Sequence, residues 1–272
     1  MSETTLIQWC DSTLNLAMGC DGCELWNDTS RHCYAGVMTE QYAGRKGWPQ
    51  SFDKPTIFPE RMDKAEAWKD LTGMNRLAKP WLNGYPRLIF LNDMSDTFTK
   101  SLPRDWLADY LPRISQSKHI YMSLTKRAAP QRAFSLTYPI PENLWLMTTI
   151  TTQATMSRAE HLVKSEANIK ILSIEPMLEK IVLGDVVKGL SGVIVGFESG
   201  EGCRAGNADW MRYLRDECQN AGVAYFVKQM GGVRNHHGEM CELPENLRIR
   251  ELPRIEVAPK IEVQEVKQAA MF

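Results

Sequence analysis

Six short apolar runs recur along the chain at nearly regular intervals, and this pattern constrains the fold more than any other feature of the sequence. Their starts lie about 22 to 32 residues apart, which suits one strand plus the helix that returns the chain to the next parallel strand. Each run is almost continuously apolar, as in strands of a parallel sheet that are covered on both faces. The runs are RLIFLN (87–92), HIYMSLT (119–125), LWLMTTI (144–150), IKILSIE (169–175), SGVIVGFE (191–198) and GVAYFVKQ (222–229).

Amphipathic segments between these runs supply the helices that such a sheet requires. Segments 103–115, 155–165 and 207–221 show helix-like patterns, and Gly222 follows the last of them as a stop signal. The segment LIQW (6–9) is a candidate seventh strand. The pattern predicts an α/β fold: a full or partial parallel (β/α) barrel of six to seven strands, with a cysteine loop after the first strand.

The barrel pattern covers residues 1–250 and predicts a single domain. Residues 44–86 interrupt it with an irregular insertion around one predicted helix, whose core is FPERMDKAEAWKDL (58–71). Residues 251–272 carry alternating charges and no compact apolar pattern, so we expect a flexible C-terminal tail.

The charge balance and the apolar pattern limit the partners and the location of the protein. The formal net charge is −1 over 272 residues, which argues against extensive binding to duplex nucleic acid or to acidic membranes. The sequence shows no secretory signal in MSETTLIQWCD (1–11) and no apolar stretch of the roughly 20 residues that a membrane helix needs. We therefore expect a cytoplasmic protein with reduced thiols, in which clustered cysteines indicate a metal site or catalysis.

Three of the seven cysteines, Cys20, Cys23 and Cys33, are clustered with the spacing C-x2-C-x9-C. A structural zinc ion needs four ligands, and Cys10 is a candidate for the fourth. A thioredoxin-like redox pair would use Cys20 and Cys23 and leave Cys33 without a role. A [4Fe–4S] cluster on three thiolates leaves one iron open to a small molecule, as in radical S-adenosylmethionine enzymes, whose usual spacing is C-x3-C-x2-C.

Polar and ionic side chains follow the apolar runs at their carboxyl ends, where ligands bind in parallel α/β sheets. Charged groups at that depth are costly unless they are paired or bind a ligand. One interpretation is an internal ring of ion pairs, in which Lys126 and Lys228 neutralise Glu175 and Glu198. The interpretation that we favour is a polar ligand pocket that uses some of these pairs to hold its shape. The residues concerned are Asn92, Asp93, Asp96, Lys126, Arg127, Glu175, Glu198, Lys228 and Gln229.

A series of motifs, taken in order, resembles a known family. The motifs include WCDSTLNLAMGC (9–20), CYA (33–35), FPER (58–61), PRLIFLNDMSDTF (86–98), LTKR (124–127), LSIEPML (172–178), VIVGFESG (193–200) and FVKQMGG (226–232). Over about residues 9–232 the chain resembles the phage-associated gp thirty-seven / gp sixty-eight family of three-cysteine-motif proteins, which is regarded as radical-S-adenosylmethionine-like. Family members often carry a further cysteine where Ser30 stands here.

The resemblance implies a radical-S-adenosylmethionine-like barrel and roles for the residues singled out above. The ligands of a [4Fe–4S] cluster would be Cys20, Cys23 and Cys33. S-adenosylmethionine would be bound by His32, Asn92, Asp93, Asp96 and Glu175. Catalysis would involve Glu198 and Lys126, and the substrate would contact Arg127, Lys228 and Gln229.

The implied activity is reductive cleavage of S-adenosylmethionine to a 5′-deoxyadenosyl radical, which abstracts hydrogen from a substrate. The implied redox partner is an electron donor such as flavodoxin or ferredoxin. Phage association favours a nucleobase, a nucleotide or DNA as the substrate, and a small metabolite is a further option. The alternative is a zinc-stabilised nucleic-acid-binding or phage accessory protein without radical chemistry.

Overall fold

Parallel strands follow one another across the central sheet in the order in which the chain forms them. The computed structural model describes residues 1–232 and 238–255. Its strands are β1 (Ser12–Leu14), β2 (Ala17–Met18), β3 (Trp26–Asn27), β4 (Ser30–Arg31), β5 (Thr56–Ile57), β6 (Leu88–Leu91), β7 (Ile120–Thr125), β8 (Leu144–Ile150), β9 (Lys170–Ile174), β10 (Gly192–Gly196) and β11 (Ala224–Gln229). The sheet has the order β1-β6-β7-β8-β9-β10-β11 and curls into a half-barrel.

Helices and two small antiparallel ribbons complete the described part of the chain. The ribbons pair β2 with β5 and β3 with β4. The α-helices are α1 (Tyr34–Tyr42), α2 (Glu60–Glu66), α3 (Leu111–Gln116), α4 (Ala128–Thr137), α5 (Ser157–Val163) and α6 (Ala208–Ala221). Short 3₁₀ helices span Pro80–Leu82, Trp106–Tyr110, Gln153–Thr155, Gly184–Gly189, Met240–Glu242 and Glu245–Leu247. No helix of the described residues is long and apolar enough to cross a bilayer.

All six apolar runs form strands of the sheet, which confirms the predicted partial parallel (β/α) barrel. The seventh strand is not where the sequence placed it. Residues 6–9 form no strand, and β1 pairs with β6 instead. Ile7 and Trp9 pack inside the half-barrel, where the Trp9 ring lies 4.7 Å from that of Phe90 between centroids. The LIQW segment is therefore apolar because it fills the barrel, and the prediction of a strand there is wrong.

The helices predicted between the strands are present with shorter bounds. Helix α6 begins after Asn207, whose Oδ1 accepts a hydrogen bond of 2.9 Å from the backbone N–H of Asp209. It ends at Gly222, which adopts the left-handed conformation with φ of 68°. Two helices were not predicted: α1 begins directly after Cys33, and α4 begins directly after Arg127.

The two faces of the sheet pack against different partners. On the outer face, helices α3 to α6 cover strand residues such as Leu91, Leu146 and Val195. The inner face carries a separate apolar cluster made of Trp9, Cys10, Leu82, Leu88, Phe90, Ile120, Met122, Trp145, Met147, Ile171, Ile194, Phe226 and Leu252. Most strand residues of the inner cluster lie in the amino-terminal half or at the middle of their strands, and Phe90 lies nearer the carboxyl end of β6. The half-barrel is therefore filled at its amino end, which leaves room at its carboxyl end.

Segments near both ends of the described chain lie antiparallel along the two edges of the sheet. Ser2 forms a bridge with Thr13 beside β1, and Arg250 forms a bridge with Phe226 beside β11. The two segments meet where Arg250 Nη1 donates to Gln8 Oε1 at 2.9 Å. Because uncovered edges pair readily with other strands, these segments protect both sides of the open barrel.

The predicted C-terminal tail, 251–272, is described only in its first five residues. Leu252 is 5% exposed and packs in the inner cluster. The Tyr85 hydroxyl donates to the carbonyls of Leu252 and Pro253 at 3.1 and 3.2 Å. The rest of the predicted tail, 256–272, lies outside the described residues.

Candidate functional site

A cavity of about 680 Å³ opens at the carboxyl ends of the parallel strands, above the apolar filling of the half-barrel. Its volume is in the range of sites that enclose cofactors and other small molecules. Residues 19–33, here named the cysteine loop, form one side of this cavity. Apart from Asn92 and the candidate zinc ligand Cys10, all candidate site residues predicted from the sequence line it: Cys20, Cys23, His32, Cys33, Asp93, Asp96, Lys126, Arg127, Glu175, Glu198, Lys228 and Gln229.

The cysteine loop brings all three clustered thiols to the cavity. The backbone N–H of Cys20 donates to the Phe52 carbonyl at 2.6 Å, which joins the start of the loop to the insertion. Cys23 and Trp26 exchange two backbone hydrogen bonds of 3.0 and 2.9 Å, which close a tight turn. Cys33 lies at the other end of the loop, directly before α1. All three side chains are half-buried and free of disulfide bonds.

Burial sets the acidity of two of these thiols. It raises the pKa of Cys20 to about 11, with Asp96 adding to the shift, and it also raises the pKa of Cys23. The nearby Lys126 ammonium opposes the shift at Cys23. Both thiols are therefore protonated at neutral pH in the metal-free protein, and a metal that binds them as thiolates must release their protons.

The donor set of the cavity suits an iron–sulfur cluster, because proteins hold such clusters mainly with cysteine thiolates. Among the described residues, no three His, Cys, Asp or Glu side chains are arranged around the position of a single metal ion. Cys10, the candidate fourth zinc ligand, is fully buried in the inner cluster and does not line the cavity.

Asn92 has a role in the fold and lies outside the cavity lining. Its Oδ1 accepts from the backbone N–H of Ala17 at 2.8 Å, and its Nδ2 donates to Thr97 Oγ1 at 3.0 Å. It holds the left-handed conformation with φ of 64°, which asparagine tolerates better than most residues. Asn92 therefore links β2 to the segment that follows β6, and its contact with a cofactor stays a prediction.

Asp96 lines the cavity but uses both carboxylate oxygens within the protein. Oδ1 accepts from Thr125 Oγ1 at 2.6 Å and from the Phe98 backbone N–H at 2.9 Å. Oδ2 accepts from the backbone N–H of Lys126 at 2.9 Å. These bonds tie the end of β6 to the end of β7, so Asp96 fixes the positions of its neighbours in the cavity wall.

Asp93 and Glu175 each present a buried oxygen that lacks a hydrogen-bond donor among the described residues. These atoms are Asp93 Oδ1 and Glu175 Oε1, and both residues line the cavity. Burial raises the pKa of the Asp93 carboxyl. Glu175 Oε1 has an ion-pair partner in Lys228, so the unpaired acceptor of this pair is Asp93 Oδ1. Because buried polar atoms are nearly always paired, this oxygen indicates a ligand with a donor group.

The predicted ring of ion pairs is only partly formed. Lys228 Nζ forms an ion pair with Glu175 Oε1 at 2.8 Å. Glu198 pairs instead with Arg204, whose Nε and Nη2 donate to its two oxygens at 2.9 and 2.6 Å. This pairing lowers the pKa of Glu198. Within the described part of the chain, the Lys126 ammonium has neither an ion pair nor a hydrogen bond.

The three remaining predicted residues occupy different parts of the rim. Arg127 Nη2 donates to the Gly22 carbonyl at 3.1 Å, so this guanidinium contacts the cysteine loop. Gln229 Nε2 donates to the Phe197 carbonyl at 3.0 Å. His32 is exposed at the mouth and lies close enough to Glu198 to affect its pKa.

Sequence reasoning missed an ion pair within this site. Arg158 Nη1 and Nη2 donate to the two oxygens of Glu24 at 2.8 and 2.9 Å, and both side chains line the cavity. The pKa of Glu24 falls to about 2, because the bonds and charge of Arg158 outweigh the opposing effect of burial. Glu24 and Arg158 are 134 residues apart in the chain, and no motif joins them. The position of Glu24 directly after Cys23 was the one feature of the sequence that indicated a role for this acid in the site.

Fold and site together define an α/β half-barrel protein with a cysteine-lined cavity at the carboxyl ends of its strands. The chain belongs to the family described as protein of unknown function (DUF5131), whose model matches residues 4–269. Comparisons with curated proteins and with solved structures gave no match.

Proposed function

We propose that this protein is a radical S-adenosylmethionine enzyme that holds a [4Fe–4S] cluster on Cys20, Cys23 and Cys33. The observation that carries the proposal is that these three thiols line one cavity together with Asp93 Oδ1 and the Lys126 ammonium, neither of which has a hydrogen-bond or ion-pair partner among the described residues. The motif resemblance to a radical-S-adenosylmethionine-like family supports the same assignment. When bound, the cluster would supply the electron that cleaves the sulfonium group of S-adenosylmethionine.

The side chains around the thiols offer contacts for each part of this cofactor. The Lys126 ammonium, which is unpaired within the described residues, suits a carboxylate. Asp93 Oδ1 and Glu175 Oε1 are acceptors for an amino group or for ribose hydroxyls. The apolar cluster below the cavity keeps water from the floor of the site, which protects a reactive intermediate.

The substrate class follows from the size and the rim of the cavity. A volume of about 680 Å³ suits a cofactor together with a compact substrate such as a nucleobase or a nucleotide. Glu198 and Arg204 at the rim, with Lys228 and Gln229 on β11, would orient this substrate. A net charge of −1 favours a nucleotide or a flipped base over a long duplex, and an external donor such as flavodoxin or ferredoxin would reduce the cluster.

Anaerobic purification tests the metal centre. We expect a brown protein with about four iron and four sulfide per chain, and nearly none in Cys33→Ala. With dithionite and S-adenosylmethionine the wild-type protein should release 5′-deoxyadenosine. A colourless protein with one tightly bound zinc ion would instead support the alternative, a zinc-stabilised nucleic-acid-binding or phage accessory protein without radical chemistry.

A carboxylate variant tests the assignment of Glu198 to catalysis. Glu198→Gln should retain the iron content of the wild-type protein and impair turnover of the substrate, because Arg204 still has an acceptor while the rim loses its negative charge. Loss of iron in this variant would place Glu198 in the support of the cluster and contradict its assigned role.

A further inference from the structure

We propose that Asp21 and Glu24 are positioning residues that hold the cysteine loop across the strand ends, so that Cys20 and Cys23 face the cavity. Each acid directly follows one of these cysteines. The role of the two thiols as cluster ligands rests on the proposed function. The clamping of the loop rests on the contacts of the two carboxylates and is testable by itself.

Asp21 attaches the loop to the segment that follows β6. Its carboxylate accepts from Thr99 Oγ1 at 2.6 Å and from the backbone N–H groups of Lys100 and Ser101 at 2.5 and 3.1 Å. The Ser101 hydroxyl donates to the other oxygen. In return, the backbone N–H of Asp21 donates to Thr99 Oγ1 at 3.0 Å. Four groups thus donate to the Asp21 carboxylate and fix the position of this part of the loop.

Glu24 attaches the same loop to the region beyond β8. Besides its two bonds from Arg158, Glu24 Oε1 accepts from Thr151 Oγ1 at 3.2 Å. Arg158 also donates to the Thr149 carbonyl at 3.3 Å, so the guanidinium is itself held by the strand. The side chains of Arg158 and Glu24 are only 21% and 31% exposed, and a paired, bidentate contact of this kind is stronger than a solvated surface pair.

Between these two anchors, Arg127 at the end of β7 donates to the Gly22 carbonyl and lies 3.7 Å from Asp21 Oδ2. Loop positions 21, 22 and 24 are therefore fastened to the segment between β6 and β7, to the end of β7 and to the end of β8, around three neighbouring strands of the sheet. This short segment forms no regular structure of its own between Gly19 and Cys23. Side-chain contacts therefore hold this segment in place, as backbone hydrogen bonds hold the strands of the sheet.

The chain contains a matched control for the Glu24–Arg158 pair. Glu66 on α2 forms the same bidentate contact with Arg113 on α3, at 2.8 and 2.6 Å, and neither residue lines the cavity. Asp185, paired with Lys188 on the exposed surface, is the corresponding control for Asp21. Glu66→Gln and Asp185→Asn remove the same groups without touching the cysteine loop.

The test is site-resolved alkylation of the full-length, reduced, metal-free protein with iodoacetamide, followed by mass spectrometry. In Asp21→Asn and Glu24→Gln we expect Cys20 and Cys23 to react about tenfold faster than in the wild-type protein, because the loop opens more often. Cys218, buried on α6, should keep its rate and report that the fold is intact. Glu66→Gln and Asp185→Asn should leave Cys20 and Cys23 at wild-type rates.

Two outcomes would overturn the proposal. Wild-type rates at Cys20 and Cys23 in both loop variants would show that the carboxylates do not hold the loop. An equal acceleration at Cys218 would show that they stabilise the whole fold and have no specific effect on the thiols. If Glu24→Gln unfolds, Arg158→Gln removes the partner of Glu24 instead. The alkylation rates of Cys20, Cys23 and Cys218 in that variant then decide the question.

Reconstitution with ferrous iron and sulfide separates this inference from the proposed function. If the wild-type protein takes up a cluster, Glu24→Gln should lose iron to a chelator several-fold faster than Glu66→Gln does. If the wild-type protein takes up none, the proposed function fails while the alkylation rates still decide whether the loop is clamped.

Discussion

At the scale of single residues, Gly22 shows how tightly the cysteine loop is built. It adopts φ of 84°, and a Cβ atom at this position would lie 2.3 Å from the Trp26 carbonyl oxygen. A larger residue would therefore meet both an unfavourable backbone conformation and a backbone atom that has no room to move. The turn that separates Cys20 from Cys23 needs glycine.

Gly22→Ala should lower the free energy of unfolding by about 3 kcal/mol, through backbone strain and overlap with the neighbouring carbonyl. Gly73→Ala is the control, because Gly73 has a similar φ of 72° but open space around the missing Cβ. We expect that variant to lose only about 1 kcal/mol. Urea denaturation of both variants measures the difference, and equal losses would contradict the steric argument.

His119 gives a second residue-scale prediction, which concerns pH. It is 1% exposed and directly precedes β7. Burial lowers the pKa of His119 from 6.5, and the Arg87 charge lowers it further. The contribution of neutral His119 to stability is thus fully present above about pH 6.5 and is lost as the pH falls toward the folded-state pKa.

We expect the free energy of unfolding to fall less steeply between pH 6.5 and 5 in His119→Gln than in the wild-type protein. The difference in slope should approach at most about 1.4 kcal/mol per pH unit, the limit for one proton. Denaturant titrations at several pH values measure it. Parallel curves for the two proteins would mean that His119 titrates alike in the folded and unfolded states.

At the scale of the elements, the six long strands and three of the helices between them were predictable, whereas the LIQW segment was misassigned and α1 and α4 were missed. A run such as LWLMTTI is buried along its whole length, so its composition alone marks it as a strand of a covered parallel sheet. LIQW has the same composition but fills the inside of the half-barrel, and periodicity cannot distinguish these environments over four residues. Helix α1 was missed because its apolar residues Tyr34, Val37 and Met38 face solvent.

The contact between the two edge segments depends on Arg250. This residue is 6% exposed, donates to Gln8 and to the carbonyls of Val227 and Lys228, and lies with its guanidinium carbon 4.1 Å from the centroid of the Trp81 ring. Burial lowers the pKa of Arg250 to about 10. Its bonds are therefore made in a poorly solvated environment, where an acceptor that loses its donor is costly.

Arg250→Met should lower the free energy of unfolding by about 2–3 kcal/mol, because several buried acceptors lose their donor. For a chain of this size the melting temperature should fall by roughly 4–10 °C. Arg212→Met removes a partly exposed pair with Asp209 on α6 and should change the stability by less than about 0.5 kcal/mol. Calorimetry compares the two, and similar melting temperatures would show that the edges do not need this link.

At the scale of the whole molecule, the insertion between α1 and β6 holds the first residues of the chain in place. Lys79 Nζ donates to the carbonyls of Thr5, Ile7 and Cys10 at 2.6 to 2.7 Å. Thr5, Leu6 and Ile7 in turn line the cavity. The irregular insertion therefore contributes to the site indirectly, by fixing the segment that forms one of its walls.

Lys79→Met should loosen that wall without unfolding the sheet, because three carbonyls lose their common donor. Hydrogen exchange at the backbone amide of Thr5, which donates to the Asp11 carbonyl at 3.1 Å, should accelerate about tenfold or more. Amides of β8 should keep their protection. Lys188→Met, at an exposed ion pair, is the control, and equal exchange in the two variants would exclude this role of Lys79.

Much of the site was predictable, because strand ends of a parallel sheet meet at one edge whatever the details of the fold. This rule placed Lys126, Glu175, Glu198 and Lys228 on one cavity. It could not show that Asn92 turns inward to the backbone of Ala17, since an amide at a strand end suits either role. Nor could it find the partner of Glu24, because a contact between residues 134 positions apart depends on the finished fold.

The apolar filling at the amino end of the half-barrel has a kinetic consequence. Among the described residues it closes the bottom of the cavity, so molecules enter and depart through the mouth at the strand ends. If two molecules bind one above the other in a cavity with a single opening, the molecule nearer the apolar floor must bind first and dissociate last. For the enzyme proposed above, steady-state kinetics should then show a compulsory order of addition, in which excess of the upper reactant traps the lower one.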